Sequence, residues 1–268
     1  ERRTDVPELP DVESFRRRVE SGAVGHRVRH TSVRDEEMLD DVTSAALARR
    51  LKGRRLRGTR RHGKSLFVDL EGDGWLVLHF GMTGSVVVNS SSEEEPDHAR
   101  LVLALDDDRR LAVTSRRRLG RMGWTDDPGE WSDAHDLGPD ALADDVDRAI
   151  FVERVGRGRA TIKSALMDQC RVAGVGNVYS DEILFQAGLH PRRHTDTLGE
   201  DDWAGLYGVF RRVLRVTSDH DARPEEFPAG YLTPVREEGA ACPRCGATIR
   251  RTEVSGRGTY YCPRCQRT

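Results

Sequence analysis

The sequence predicts an α+β fold in which a strand-rich N-terminal half precedes a helical segment and a short cysteine-containing hairpin. Three observations support this class. Short apolar, β-branched runs separated by turn residues dominate residues 24–114, apolar residues recur at helical spacing over 140–215, and four paired cysteines follow residue 241. The strand-rich half is expected to form a sandwich or a barrel.

Within this half, two pairs of strands surround turn-forming residues. Glu71-Gly72-Asp73-Gly74 separates the first pair, and Asp106–Arg110 separates the second. Thr43 can cap a short helix over Ser44–Leu51, so helices are expected to flank the strands. The predicted strands are Leu66–Leu70, Trp75–Phe80, Ser85–Val88, Leu101–Leu105 and Leu111–Thr114.

The N-terminal stretch Val6–Glu13 has the features of a helix start. Pro10 would lie in the first turn, with Asp11 near the positive end of the helix dipole. Apolar residues follow at helical spacing. By themselves, these residues predict an ordinary N-terminal helix.

Composition argues against a membrane or secreted protein. Hydrophobic residues make up 37% of the chain, and no apolar run approaches the length of a membrane span. The chain does not open with a secretory leader. We therefore expect a soluble, cytoplasmic protein without a membrane partner.

The charges are strongly segregated, although the formal net charge is only −2. Arg49–Lys64 contains nine cations and no acid, and Arg109–Arg121 contains six cations and no acid. Local patches of this kind steer a polyanion more than the total charge does, which favours a nucleic-acid partner. A solvated, salt-bridged surface is the alternative.

The cysteines form two Cys-x-x-Cys pairs, Cys242-Pro-Arg-Cys245 and Cys262-Pro-Arg-Cys265, separated by sixteen residues. This spacing predicts one structural zinc ion held tetrahedrally by four thiolates, with a hairpin between the pairs. Two disulfides are the alternative, which fits poorly with a chain lacking a secretion signal. Arg257 falls near the predicted hairpin tip, where it could reach a phosphate or be an ordinary exposed turn residue.

A glycine-containing loop joins two helical segments. Gly174 and Gly176 allow close backbone approach, and Asn177 stands where it could cap the next helix. Free amides at a helix start can bind phosphate. Since helix connections often contain glycine, this motif is weak by itself.

Taken together, the short motifs of this chain resemble one family from Pro7 to Gln266. They are Pro7-Glu8-Leu9-Pro10-Asp11-Val12-Glu13, Arg61-His62-Gly63-Lys64, His79-Phe80-Gly81-Met82-Thr83-Gly84-Ser85, Leu137-Gly138-Pro139, Ile162-Lys163 with Leu166-Met167-Asp168, Gly174-Val175-Gly176-Asn177-Val178-Tyr179, Gly188-Leu189-His190-Pro191 and the four cysteines. In this set the chain is similar to the bacterial formamidopyrimidine-DNA glycosylases, the family that includes endonuclease VIII. Each motif is short, but their order and number make the resemblance specific.

The resemblance implies a monomer that binds damaged double-stranded DNA in a cleft between two lobes. The expected fold is an N-terminal β-sandwich with flanking helices, a helix–two-turns–helix domain and a C-terminal zinc hairpin. The corresponding parts are an extension or mis-assigned start at 1–6, a catalytic sandwich at 7–125, a linker at 126–139, a helical DNA-binding domain at 140–235 and a zinc hairpin at 236–268.

The resemblance also implies an active site. The predicted enzyme is a bifunctional DNA glycosylase and abasic-site lyase of base excision repair. It is expected to remove oxidised bases, namely purines such as 8-oxoguanine and formamidopyrimidines, through a Schiff base on an N-terminal proline, and then to cleave the strand. The implied catalytic residues are Pro7 as nucleophile, Glu8 as acid and Lys64 as a strand residue that contacts phosphate near the lesion. The implied phosphate anchors are Lys163, Asn177 and Arg257, and the residues that fill the gap left by the flipped base are Met82, Arg117 and Leu119.

Two departures bear on these expectations. The family usually carries Asp-Pro-Arg-Arg-Phe-Gly where this chain has Ser115–Gly120, here called the wedge loop, so its aromatic wedge is replaced by Leu119. The segment 217–241, where the oxidised-purine branch has a loop over the flipped base, is also short.

The extension Glu1–Val6 raises a different alternative. A proline inside a chain has its nitrogen lone pair delocalised into an amide and cannot attack a sugar. We expect Val6 to be a misread start codon, which would leave Pro7 as the mature N-terminus. If Pro7 stays blocked, the chain is instead a catalytically silent binder of damaged or distorted DNA.

Overall fold

The computed structural model describes residues 6–267, so the first five residues of the predicted extension lie outside it. The chain divides into two compact units. The first comprises Val6–Pro7 and Asp11–His135, and the second comprises Glu8–Pro10 and residues 136–267. Within the described part of the chain, no helix combines the length and apolar character that a membrane crossing requires.

The first unit is a sandwich of two sheets with helices beside them, which confirms the predicted fold class. Its strands are β1 Val28–Val33, β2 Leu39–Asp40, β3 Leu56–His62, β4 Ser65–Leu70, β5 Trp75–His79, β6 Gly84–Ser90, β7 Ala99–Leu105, β8 Arg109–Ser115 and β9 Arg121–Thr125. Its helices are α1 Leu9–Gly22, which begins in the short segment assigned to the second unit, α2 Ser44–Leu51, α3 Pro128–Ala134 and a 3-10 turn at Glu36–Met38.

One sheet has the strand order β1-β7-β8-β6 and the other β2-β9-β5-β4-β3. Neighbouring strands are antiparallel except for the parallel pair β2 and β9. Alternate residues of each strand point inward, so Leu66 and Leu78 of the larger sheet join Leu103 and Leu111 of the smaller one in a single buried core. Phe15 of α1 belongs to the same core.

The predicted helix Ser44–Leu51 is confirmed, and the Thr43 hydroxyl accepts a hydrogen bond from the Ala46 amide at 3.2 Å. The stretch expected as a linker contains helix α3 instead of irregular chain. Asp127 caps it through the Glu130 amide at 3.0 Å, and Trp131 packs edge-on against Phe67 with ring centroids 5.4 Å apart. A helix of seven residues is too short to show apolar periodicity in the sequence.

The second unit is helical and ends in the hairpin. Its elements are α4 Arg148–Val155, α5 Ile162–Met167, α6 Asn177–Ala187, α7 Glu200–Asp219, 3-10 turns at Thr195–Thr197, Pro224–Glu226 and Thr233–Val235, and strands β10 Arg250–Val254 and β11 Arg257–Tyr261. The helices share one apolar core around Phe151, Leu184 and Phe210. The hairpin has its own small core, in which Ile249 contacts the cluster of Phe185 and Leu232.

Candidate functional site

The carboxylate of Glu8 lies at the N-terminus of α6. It is 1% exposed and accepts hydrogen bonds from the amides of Gly176 at 2.7 Å, Val178 at 2.8 Å and Tyr179 at 3.2 Å. These amides have no partner within the helix, and the helix dipole stabilises a negative charge at this end. Glu8 therefore occupies the anion position that the sequence suggested for a phosphate.

The two glycines of the preceding loop make room for this arrangement. A Cβ atom on Gly176 would lie 2.5 Å from the Glu8 carboxyl carbon, and one on Gly174 would lie 2.6 Å from the Leu9 side chain. Gly174 also has a φ of +123°, which disfavours a side chain, and its carbonyl accepts from the Leu9 amide at 3.0 Å. The loop therefore requires glycine at both positions to hold residues 8 and 9.

Asn177 does not cap α6, contrary to the sequence prediction. Gly176 occupies the cap position, and Asn177 is the first helical residue. Its side-chain nitrogen donates to the carbonyl of Gly258 at 3.1 Å, while its Oδ1 atom is buried and has no hydrogen-bond partner among residues 6–267. Glu8 accepts the hydrogen bonds of the α6 amides instead. Because Glu8 is distant in sequence, the residues around Asn177 could not predict this contact.

Lys163 is fully buried. Its ammonium donates to Asp181 at 2.6 Å and to the Thr259 hydroxyl at 2.8 Å, and Arg236 also donates to Asp181 at 2.9 Å. Burial lowers the pKa of Lys163 and raises that of Asp181, while their ion pair opposes both shifts. The ammonium thus joins α5, α6 and β11, and this buried position does not support the predicted phosphate contact of Lys163, which stays a prediction.

Sequence reasoning missed Asp181 and Arg236, the partners of this buried cluster. Asp181 also accepts from the Tyr260 amide at 3.1 Å, so one carboxylate links a helix to the hairpin. A single aspartate inside a helical pattern carries no local signal of such a role, because its partners lie 18 to 79 residues away.

The four predicted metal ligands come together. The sulfur atoms of Cys242, Cys245, Cys262 and Cys265 lie within 4.8 Å of one another, with Cys242–Cys265 at 3.8 Å and Cys245–Cys262 at 3.5 Å. A tetrahedral zinc ion with Zn–S bonds of about 2.3 Å requires sulfurs about 3.8 Å apart, whereas a disulfide requires about 2 Å. The four cysteines therefore form a site for one structural zinc ion.

The hairpin between the cysteine pairs turns at Ser255 and Gly256, both with positive φ, as a two-residue hairpin turn requires. Arg257 is the first residue after this turn and is exposed. It lies at the hairpin tip, as the sequence predicted. Its predicted contact with a phosphate remains a prediction.

In the first unit, Lys64 lies in the two-residue turn between β3 and β4, not on a strand as expected. Gly63 precedes it with a φ of +55°, and His62 pairs with Ser65 across the turn. Positive φ at the first turn position suits glycine, and the strand ends at His62, two residues before Lys64. The side chain of Lys64 is partly exposed.

The structure brings the turn that contains Met82 next to the wedge loop, which contains Arg117 and Leu119. Met82 lies in the turn between β5 and β6, and the other two lie in the wedge loop. The Thr83 hydroxyl accepts from the Arg117 amide at 3.0 Å, and a Cβ on Gly81 would lie 2.4 Å from the Leu119 backbone. Leu119 is 47% exposed, and it is the only exposed large hydrophobic residue between positions 6 and 267.

A sandwich with an exposed apolar wedge, and a helical unit with a zinc hairpin and an exposed arginine, are features of a zinc-containing nucleic-acid-binding protein. Comparisons with known proteins sharpen this class. Residues 6–122 match the formamidopyrimidine-DNA glycosylase N-terminal domain, residues 137–224 match the formamidopyrimidine-DNA glycosylase H2TH domain, and residues 239–268 match the zinc finger found in FPG and IleRS.

Relatives and solved structures agree along the whole chain. The chain is 33% identical to the formamidopyrimidine-DNA glycosylase of Herpetosiphon aurantiacus over 97% of its length and 100% of that protein. It is 34% identical to that of Pectobacterium carotovorum subsp. carotovorum, over 98% and 100%. The chain belongs to the formamidopyrimidine-DNA glycosylase family.

Among solved structures, Lactococcus lactis Fpg in complex with DNA containing an abasic site superposes with a TM-score of 0.87. It is 28% identical and covers 97% of this chain and 100% of its own. MutM in complex with DNA containing carbocyclic 8-oxo-G superposes with a TM-score of 0.88 at 28% identity, over 98% of this chain and 100% of its own.

Replacing Gly176 with alanine should push the Glu8 carboxylate off the α6 amides. We expect Gly176→Ala to lower the free energy of unfolding by about 2 kcal/mol more than Gly199→Ala, measured by urea denaturation. Gly199 is the matched control because it holds the same cap position on α7 with nothing within 4 Å of a Cβ. Equal losses would show that the close approach at Gly176 does not matter.

Removing one zinc ligand should abolish metal binding. We expect one zinc ion per chain by elemental analysis, and none in Cys262→Ser, because three thiolates leave the site incomplete. Cys170→Ser is the control, since that cysteine is exposed and lies outside the cluster. Full zinc content in Cys262→Ser would contradict the assigned ligand set.

Proposed function

We propose that this protein is a DNA glycosylase with abasic-site lyase activity, acting on oxidised purines in duplex DNA through a Schiff base on Pro7. The observation that carries the proposal is the Pro7-Glu8 pair at the head of α1, with the Glu8 carboxylate fixed by the α6 amides. Family membership supports it, as do structurally similar Fpg complexes with DNA containing an abasic site or FAPY-dG.

The nucleophile in this proposal is the nitrogen of Pro7 at a processed N-terminus. A secondary amine with a pKa near the α-amino value of about 7.7 is substantially unprotonated at neutral pH. Its lone pair can then attack C1′ of the sugar. The mechanism therefore requires that the mature chain begin at Pro7.

Base removal and strand cleavage follow from that attack. The Pro7 nitrogen bonds to C1′ as the glycosidic bond breaks, and the base leaves with its bonding electrons and takes up a proton. The Glu8 carboxylate takes the proton that the Pro7 nitrogen loses after the attack and delivers it to the ring oxygen, which opens the sugar and leaves an iminium ion between nitrogen and C1′. The iminium acidifies C2′, whose proton is lost as the 3′ phosphate leaves, and water then releases the enzyme.

The remaining predicted residues bind and shape the DNA. The base must leave the helical stack before it can react. Met82, Arg117 and Leu119 would fill the gap, because apolar wedges and arginines replace the stacking and pairing of the lost base. Arg257, Asn177 and Lys64 would contact phosphates, which fix position and register rather than sequence.

The second candidate function is a catalytically silent binder of damaged or distorted DNA. One feature favours it: in the sequence as it stands, Glu1–Val6 precede Pro7, and an amide nitrogen is not a nucleophile. The DNA-binding residues would be unaffected by this block.

Reductive trapping separates the two candidates. We expect borohydride to cross-link the form that begins at Pro7 to a duplex containing an abasic site, because it reduces the iminium to a stable amine. The form that begins at Glu1 is the matched control and should give no cross-link on a denaturing gel. If protein verified to start at Pro7 gives none either, the silent-binder function replaces the enzyme.

Lys64→Ala should slow base removal more than Arg250→Ala. We expect a loss of about tenfold or more for Lys64, since a hydrogen bond to a charged phosphate contributes about 1.5–3 kcal/mol. Arg250 lies exposed on β10, is not among the residues predicted to contact DNA, and should cost less than about threefold. Single-turnover excision of 8-oxoguanine measures both, and equal losses would contradict the placement of Lys64.

A further inference from the structure

Hydrogen bonds and ion pairs of one cluster of charged side chains hold the wedge loop at two points. At its start, the carbonyl of Ser115 accepts from the Arg100 guanidinium at 2.9 Å. Near its end, the Arg118 guanidinium makes a two-pronged contact with Asp35, with the Nη2–Oδ1 pair at 2.9 Å, and also donates to Glu37 at 2.8 Å. Arg100 in turn lies 4.0 Å from the Asp35 carboxylate.

Asp35 is the buried member of this group. Its side chain is 3% exposed, while that of Arg118 is 50% exposed. A buried carboxylate is costly unless it is paired and hydrogen-bonded, and Arg118 and Arg100 supply that pairing. The hydrogen bond from Arg118 lowers the pKa of Asp35, so the carboxylate stays charged at neutral pH. The steps proposed above for base removal make no use of this buried charge.

The contact also fixes an unusual backbone. Arg118 has a φ of +57°, in the left-handed region that a long side chain adopts only under constraint. On either side of it, Arg117 and Leu119 are exposed, and the Arg117 amide is held by the Thr83 hydroxyl. The buried carboxylate therefore holds a residue with left-handed backbone that lies between two exposed side chains.

We propose that Asp35 is a positioning residue, which acts through Arg118 to present Arg117 and Leu119 to the base opposite the lesion. This inference rests on the proposed function, since it assigns those two residues to the gap in the duplex. The preference of the enzyme for the base opposite the lesion then depends on a carboxylate that does not itself contact DNA.

The test compares Asp35→Asn, Arg118→Asn and the double variant with the unaltered protein. Asparagine tolerates left-handed backbone, so Arg118→Asn removes the ion pair without adding backbone strain. Glu71→Gln is the matched control, because Glu71 also accepts two contacts from one arginine, Arg27, in the same unit but remote in sequence from the loop. Thermal unfolding confirms that each variant is folded.

The first readout does not require catalysis. 2-Aminopurine is placed opposite a stable abasic-site analogue, and its fluorescence change on protein binding reports insertion of the wedge. We expect each single variant to lose most of this change, the double variant to lose no more than a single one, and Glu71→Gln to retain it. Non-additivity of this kind shows that Asp35 acts through Arg118.

The second readout is the ratio of 8-oxoguanine excision rates opposite cytosine and opposite adenine, which should fall about tenfold in the variants. Unchanged fluorescence in Asp35→Asn and Arg118→Asn, or additive losses in the double variant, would overturn the inference. Failure of borohydride trapping in protein that begins at Pro7 would instead overturn the proposed chemistry, while the fluorescence result still decides the role of Asp35. If Asp35→Asn does not fold, the fluorescence change of the Arg118→Asn variant, whose substituted residue is exposed, is the deciding result.

Discussion

The contact on which the rest of this site depends is the bond of the Glu8 carboxylate to the free amides at the start of α6. It satisfies helix amides that would otherwise lack partners, and it places a negative charge where the helix dipole favours one. Because Pro7 is joined to Glu8 by a single peptide bond, fixing Glu8 also limits where the Pro7 nitrogen can lie. In the proposed processed form Pro7 is the chain terminus, and a terminus without such an anchor is usually among the least ordered parts of a protein.

Buried ion pairs hold two other segments of the protein in place. Lys163, Asp181 and Arg236 hold the zinc hairpin to the helices, and Asp35 holds the wedge loop through Arg118. Such clusters contribute little net stability compared with apolar packing, because desolvation offsets most of their attraction. Their value lies in geometry, since a charged pair with several directed hydrogen bonds is satisfied in one arrangement only. Both clusters support segments whose exposed tips, Arg257 and Leu119, are predicted to meet DNA.

The elements that the sequence predicted well are those with dense local signals. Thr43 and the run that follows it gave a helix with the correct start and end, because cap and periodicity agree. The cysteine spacing gave the zinc site, because its four ligands are chemically distinctive. The errors have different causes. Asn177 is not the cap of α6 because Gly176 holds that position and Glu8, a tertiary partner, bonds to the helix amides. Lys64 lies in a turn because Gly63 ends the strand, and the helix in the expected linker is too short to show periodicity.

The sequence by itself determined the α+β class, the metal ligands and the family, since these depend on periodicity, spacing and motifs carried within short segments. Only the tertiary structure decided that Gly174 and Gly176 make room for Leu9 and for the Glu8 carboxylate, that Lys163 is buried, and that Asp35 supports the wedge loop. The physical reason is that hydrogen bonds and ion pairs select partners by distance in space. The pairs that matter here are separated by 18 residues for Lys163 and Asp181 and by 168 for Glu8 and Gly176.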